Sequence, residues 1–69
     1  MNDIENIKLL VKQIRNLFLV KGYEQIIIET KKAITKYPNV SIFYNMLGLA
    51  LTGLGKFKEA IIILKKGFG

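Results

Sequence analysis

Apolar residues recur along the chain at the three- and four-residue spacing of an amphipathic helix, in four successive stretches. In the first, about Asp3 to Val20, Ile7, Leu10, Val11, Ile14, Leu17 and Phe18 fall on one stripe. Asn2 or Asp3 can cap it, the acids Asp3 and Glu5 suit the positive end of the helix dipole, and Gly22 ends it. The second stretch, about Tyr23 to Lys36, contains Ile26-Ile27-Ile28, which alone would suit a strand. The stripe Tyr23, Ile26, Ile27, Thr30, Ala33 and Ile34 decides for a helix. Pro38 stops it, because the residue before a proline is pushed out of the α region. A third helix, about Ser41 to Leu54, takes Asn39 or Ser41 as cap and packs through Tyr44, Leu47, Gly48 and Leu51. The fourth, about Phe57 to Lys66, turns Phe57, Ala60, Ile61 and Leu64 inward. The expected fold class is all-α.

The second half reads as a copy of the first. A shift of 34 lays residues 1–35 on 35–69 and pairs Leu17 with Leu51, Ile27 with Ile61, Ile28 with Ile62, Lys31 with Lys65 and Lys32 with Lys66. Residue classes match further, Leu10 with Tyr44, Tyr23 with Phe57 and Ala33 with Gly67. A period of 34 residues in helical hairpins is the signature of a stacked repeat architecture.

Tyr44-x-x-Leu47-Gly48-x-x-Leu51, continued by Gly55-x-Phe57-x-Glu59-Ala60-Ile61 and Leu64, resembles a tetratricopeptide repeat (TPR). The family pattern sets an aromatic, Leu-Gly and a large residue on the first helix, then an aromatic followed by a small residue on the second. Gly48 and Ala60 are small where the two helices of a hairpin must approach. In the first half Leu10, Leu17, Tyr23, Ala33 and Pro38 fall at matching places, while Gln13, Ile14 and Ile26 replace the usual Leu, Gly and Ala. The resemblance implies one domain over residues 1–69, two antiparallel hairpins stacked as a short right-handed TPR-like solenoid. Repeat one spans about 7–40 and repeat two about 41–69, truncated without a capping helix. The bulk of Ile14 and Ile26 implies a wider angle in the first hairpin.

Composition excludes more than it assigns. Of 69 residues, 51% are hydrophobic, which excludes a disordered chain. Cysteine and histidine are absent, which removes disulfides, thiolate metal sites and the commonest general base. The carboxylates Asp3, Glu5, Glu24, Glu29 and Glu59 form no convincing acidic pair, and Gly53-x-Gly55-Lys56 follows a helix and lacks P-loop spacing. No enzymatic activity within these residues and no cofactor are expected. Eleven Lys and Arg against five acids give a net charge of +6, which attracts anions in general. The pairs Lys31-Lys32 and Lys65-Lys66 suggest a basic edge for RNA or an anionic surface, but with Arg15 as sole arginine a solvated helix face is the better reading. The uncharged run from Tyr37 to Gly55 is broken by Ser41, Asn45, Thr52 and glycines, short of the about 20 apolar residues that a bilayer-spanning helix needs. The start Met1-Asn2-Asp3-Ile4-Glu5 lacks the basic region of a signal peptide, so a cytoplasmic protein without a membrane span is expected.

The leading functional expectation is a protein–protein interaction module. The resemblance implies that the first helices of successive repeats line a concave groove for a partner peptide or helix. Lys8, Val11, Arg15 and Phe18, with Ile42, Asn45, Leu49 and Thr52, should face it. Lys12-x-x-x-Asn16 has the spacing of the family's clamp for acidic C-termini but lies one place out of register, so that function is not assigned. The alternative implied by resemblance is a set of N-terminal accessory repeats in a longer bacterial glycosyl- or sulfotransferase, with catalysis outside this chain. RNA or anionic-surface binding is the weaker alternative. Finally, Ile61-Ile62-Ile63-Leu64 spreads apolar surface over more than one helix face. Ile62, Ile63 and Phe68 lack partners within two repeats and are expected to mediate self-association.

Overall fold

Four helices follow one another in the computed structural model, which describes residues 2–68: α1 (Asp3–Leu19), α2 (Tyr23–Lys36), α3 (Ser41–Gly53) and α4 (Phe57–Phe68). No strand occurs among the described residues. Each helix packs on its neighbour in chain order, and α1 also approaches α3. Among the described residues the backbones of α2 and α4 do not approach one another. The result is a flat serpentine of 36 × 29 × 15 Å.

Local chemistry sets the helix ends. Asn2, not Asp3, caps α1: its side-chain oxygen accepts the Glu5 N–H at 2.9 Å. The link from α2 to α3 is built by the dipeptide Tyr37-Pro38. Tyr37 leaves the α region at φ −129° and ψ 70°, as the steric demand of the following proline favours. Its ring is buried and stacks on Phe43 with centroids 6.5 Å apart. Neither Asn39 nor Ser41 caps α3; Val40 occupies the cap without a side-chain bond. The turn is tied instead by the Tyr44 hydroxyl, which donates to the Pro38 carbonyl at 2.9 Å.

The two hairpin turns are the same structure 34 residues apart. At the end of α1 the Gly22 N–H donates to the Leu17 carbonyl at 2.9 Å and the Lys21 N–H to that of Phe18 at 3.1 Å. At the end of α3 the Lys56 N–H donates to Leu51 at 2.9 Å and the Gly55 N–H to Thr52 at 3.0 Å. This paired closure requires one left-handed residue. It is Gly55 at φ 78° in the second turn but Lys21 at φ 55° in the first. The expected stop at Gly22 therefore lies one residue late: Gly22 has an ordinary φ of −80°, and the lysine carries the strain.

One core cluster joins Ile14 of α1, Ile26 and Ala33 of α2, Tyr37, and Phe43, Met46 and Ala50 of α3. A second joins Leu47 and Leu51 of α3 to Ala60 of α4, and Ile27 and Ile34 of α2 pack against both. Thr30 is fully buried at no polar cost, since its hydroxyl donates to the Ile26 carbonyl at 2.8 Å.

The hairpins differ where they face inward at equivalent positions. In the second, a Cβ on Gly48 would lie 2.6 Å from Leu64 Cγ, so glycine lets α4 settle directly on α3. In the first, Ile14 and Ile26 fill those positions and are both fully buried. Accordingly α3 and α4 stay close along their length, whereas α1 and α2 approach less extensively. On α4, Ala60 is buried and Leu64 packs over Gly48 as expected, but Phe57 and Ile61 do not turn inward: they are 61% and 54% exposed.

Two outcomes follow from this geometry, both read by chemical denaturation. Lys21→Gly should raise the unfolding free energy by about 0.5–1 kcal/mol, while Gly55→Lys should lower it by about 1 kcal/mol. Gly48→Ile, which copies Ile14 into the tight hairpin, should cost about 1–3 kcal/mol by overpacking, and Leu64→Ala in the same chain should return part of that loss.

Candidate functional site

The face shared by α1 and α3 is built from positions that repeat along the chain: Lys8 with Ile42, Val11 with Asn45, Arg15 with Leu49, Phe18 with Thr52. The structure divides them. Lys8 and Arg15 are exposed on α1, and Ile42 and Leu49 are 37% and 55% exposed on α3. From Ser41 to Gly53 α3 has no charged residue, so these two apolar side chains form an uncharged strip, in contrast to α1 with its Lys8, Lys12 and Arg15.

The other four have structural work. Val11 and Phe18 are half-buried against the first core cluster, and Phe18 meets Tyr23 edge-on with ring centroids 6.3 Å apart. Asn45 is half-buried against Gly67, with its carbonyl oxygen buried and unbonded. Thr52 is exposed, but its hydroxyl donates to the Gly48 carbonyl at 2.9 Å. Val11 and Phe18 belong both to the apolar stripe of α1 and to the expected groove, and packing claims them.

The residues expected to self-associate separate as well. Ile62 is 58% exposed. Ile63 is half-buried against Leu47, Leu51 and Ala60, facing the first hairpin rather than the end of the stack. The Phe68 side chain lies outside the described residues. In their place Phe57 and Ile61 are exposed on α4, which sequence reasoning turned inward. The missed signal lay in the repeat itself: α3 covers Tyr23 and Ile27 on α2, and among the described residues no helix covers their equivalents on α4.

Two surface depressions lie elsewhere. One, between α1 and α2, is lined by Leu9, Glu29, Lys32 and Tyr37, whose hydroxyl is buried without a partner. The other crosses α3 between α2 and α4 and is lined by Lys31, Leu47, Leu51, Glu59, Ile62 and Ile63. Lys31, Lys32, Lys65 and Lys66 are all exposed, and Lys32 makes a loose pair with Glu29 at 3.7 Å. Such exposed pairs contribute little. Among the described residues no group of three or more acidic, histidine or cysteine side chains could hold a metal ion, and no helix is long and apolar enough to cross a membrane. Compared with protein-family models, with curated proteins and with solved structures, the chain matches none.

Proposed function

We propose that the chain is a protein–protein interaction module, a short TPR-like stack of two hairpins that holds a partner peptide or helix along α1 and α3. The observation that carries this reading is the 34-residue repetition of backbone geometry. Both hairpins close with the same paired bonds, and their second helices start at equivalent residues, Tyr23 and Phe57. They bury equivalent positions, Ile14 with Gly48 and Ile26 with Ala60. Hairpins repeated along a chain set equivalent helices side by side, and the surface that results is extended rather than pitted.

The chemistry of that surface defines what it can hold. The backbone groups of α1 and α3 are engaged within their helices, so recognition falls to side chains. Ile42 and Leu49 offer apolar contact, and Lys8 and Arg15 offer charge to an acidic group. The planar guanidinium of Arg15 can grip a carboxylate with two bonds, which the lysines cannot. The matching ligand is a segment that carries an apolar side chain beside a carboxylate.

The test uses the full chain immobilised and exposed to native lysate. Proteins held by the wild type should also be held by Lys66→Glu, which alters an exposed charge on α4. They should fall by about tenfold or more with Arg15→Glu and with Leu49→Asp, the scale of losing one central interface contact. Equal retention by all four chains, each checked for helical content by circular dichroism, would refute the reading.

A further inference from the structure

We infer that the edge of the fold formed by its two hairpin turns docks on an anionic lipid surface, at a site separate from the α1–α3 strip. The apolar tips Leu19, Val20 and Leu54 and the cations Lys21 and Lys56 make this site.

The two turns share one edge. Gly53, at the end of α3, lies under the Tyr23 ring at the start of α2. Leu54 borders one depression with Lys21 and Gly22 of the first turn, and another with Ile28 of α2 and with Lys56. Val20 and Leu54 are equivalent in the 34-residue repeat, and each is followed within two residues by a lysine. An apolar tip with a cation beside it therefore occurs twice along the same edge.

The exposure of these tips is not that of a helix face awaiting a neighbour. Leu19 and Val20, 83% and 74% exposed, are the two most exposed large apolar residues among those described. Hairpins added to either end of a stack cover helix faces and leave the turn edges open. Stacking in chain order thus gives no cover to this edge.

Three properties fit a lipid surface. First, side chains so exposed project from the fold. A protein partner would need a pocket shaped to receive them, whereas the boundary between headgroups and acyl chains accepts an aliphatic group of any shape. Second, the backbone donors of both turns are already engaged. Val20, Lys21 and Gly22 donate to Leu17 and Phe18, and Leu54, Gly55 and Lys56 donate to Ala50, Leu51 and Thr52. The turns can enter a water-poor layer without stranding those N–H groups. Third, the charge is complementary. Lys21, Lys56 and Lys58 are exposed against the carboxylates of Glu24 and Glu59, and the whole chain carries +6. A second copy would bring the same lysines to the contact and be repelled. A few aliphatic tips hold a bilayer weakly, so attachment depends on anionic headgroups as well and is reversible.

The experiment pellets the full chain with sucrose-loaded vesicles, either phosphatidylcholine alone or phosphatidylcholine with phosphatidylserine. The wild type should bind the anionic vesicles, and the neutral ones at least about tenfold more weakly. Leu19→Ser/Val20→Ser should lose about tenfold or more on anionic vesicles, while Ile4→Ser/Ile62→Ser, which removes exposed apolar groups elsewhere, should bind as the wild type does. Lys21→Gly/Lys56→Gln should also lose about tenfold, and because glycine suits the left-handed position of Lys21 that loss cannot come from a weakened first turn. Lys32→Gln/Lys65→Gln, with the same change in net charge, should lose less than about threefold. No pelleting with anionic vesicles, equal pelleting with neutral ones, or equal losses in the edge variants and their matched controls would overturn the proposal. So would a lysate protein that the wild type retains and Leu19→Ser/Val20→Ser releases while vesicles bind neither chain, because the edge would then belong to a protein partner.

Discussion

The packing of α3 between α2 and α4 is the constraint from which the rest of the structure follows. Without cysteine there is no disulfide to draw on, and the described fold rests on apolar burial. It does so by making one helix serve both core clusters. Phe43, Met46 and Ala50 close the first, and Leu47 and Leu51 close the second. A helix covered on two sides has little room for charge, and α3 has none. This accounts for the uncharged run from Tyr37 to Gly55: it is a central helix with its two turns, not a membrane segment in disguise. It also explains why only the few α3 residues facing neither neighbour, among them Ile42 and Leu49, are available to anything outside the chain.

Much of this was legible before the structure. Helix positions followed from the period of apolar residues, and the break at Tyr37-Pro38 from the steric demand of proline. The less extensive approach of α1 and α2 accords with Ile14 and Ile26 standing where Gly48 and Ala60 stand in the second hairpin. What escaped was set by contacts distant in sequence. No local rule predicts that Tyr44 reaches back to the Pro38 carbonyl and leaves Asn39 and Ser41 without a capping role. The row Ile61-Ile62-Ile63-Leu64 has no phase of its own. Its phase is fixed by Ala60 and Leu64 against α3, and this turns Ile63 toward the first hairpin and Ile61 away. At the first turn, glycine is the residue that most easily adopts the left-handed conformation, and the reading gave it that role. The bond pattern instead places Lys21 there, because the turn is specified by which N–H groups must reach Leu17 and Phe18.

The exposure of the candidate groove residues was legible in the same measure. Lys8, Arg15, Ile42 and Leu49 lie off the packing stripes, and the structure leaves them exposed. Val11 and Phe18 sit at the edge of a stripe, where periodicity alone cannot decide between core and surface. The two ends of the fold are also chemically unlike. The outer side of α1 is broken by Lys12, Gln13 and Asn16, all exposed, while α4 ends the fold with Phe57 and Ile61.

The placement of the tyrosines has a spectroscopic consequence. The chain contains three tyrosines and no tryptophan. Tyr23 lies against Gly53, Tyr37 stacks on Phe43, and Tyr44 is bonded to Pro38. Each ring thus lies where the first hairpin, or the link after it, meets the second. Intrinsic ultraviolet emission from this protein therefore originates at that seam. It reports whether the two hairpins are joined, while far-ultraviolet dichroism reports only whether helices exist. Together the two signals separate sliding or parting of intact hairpins from their unfolding, with no label introduced.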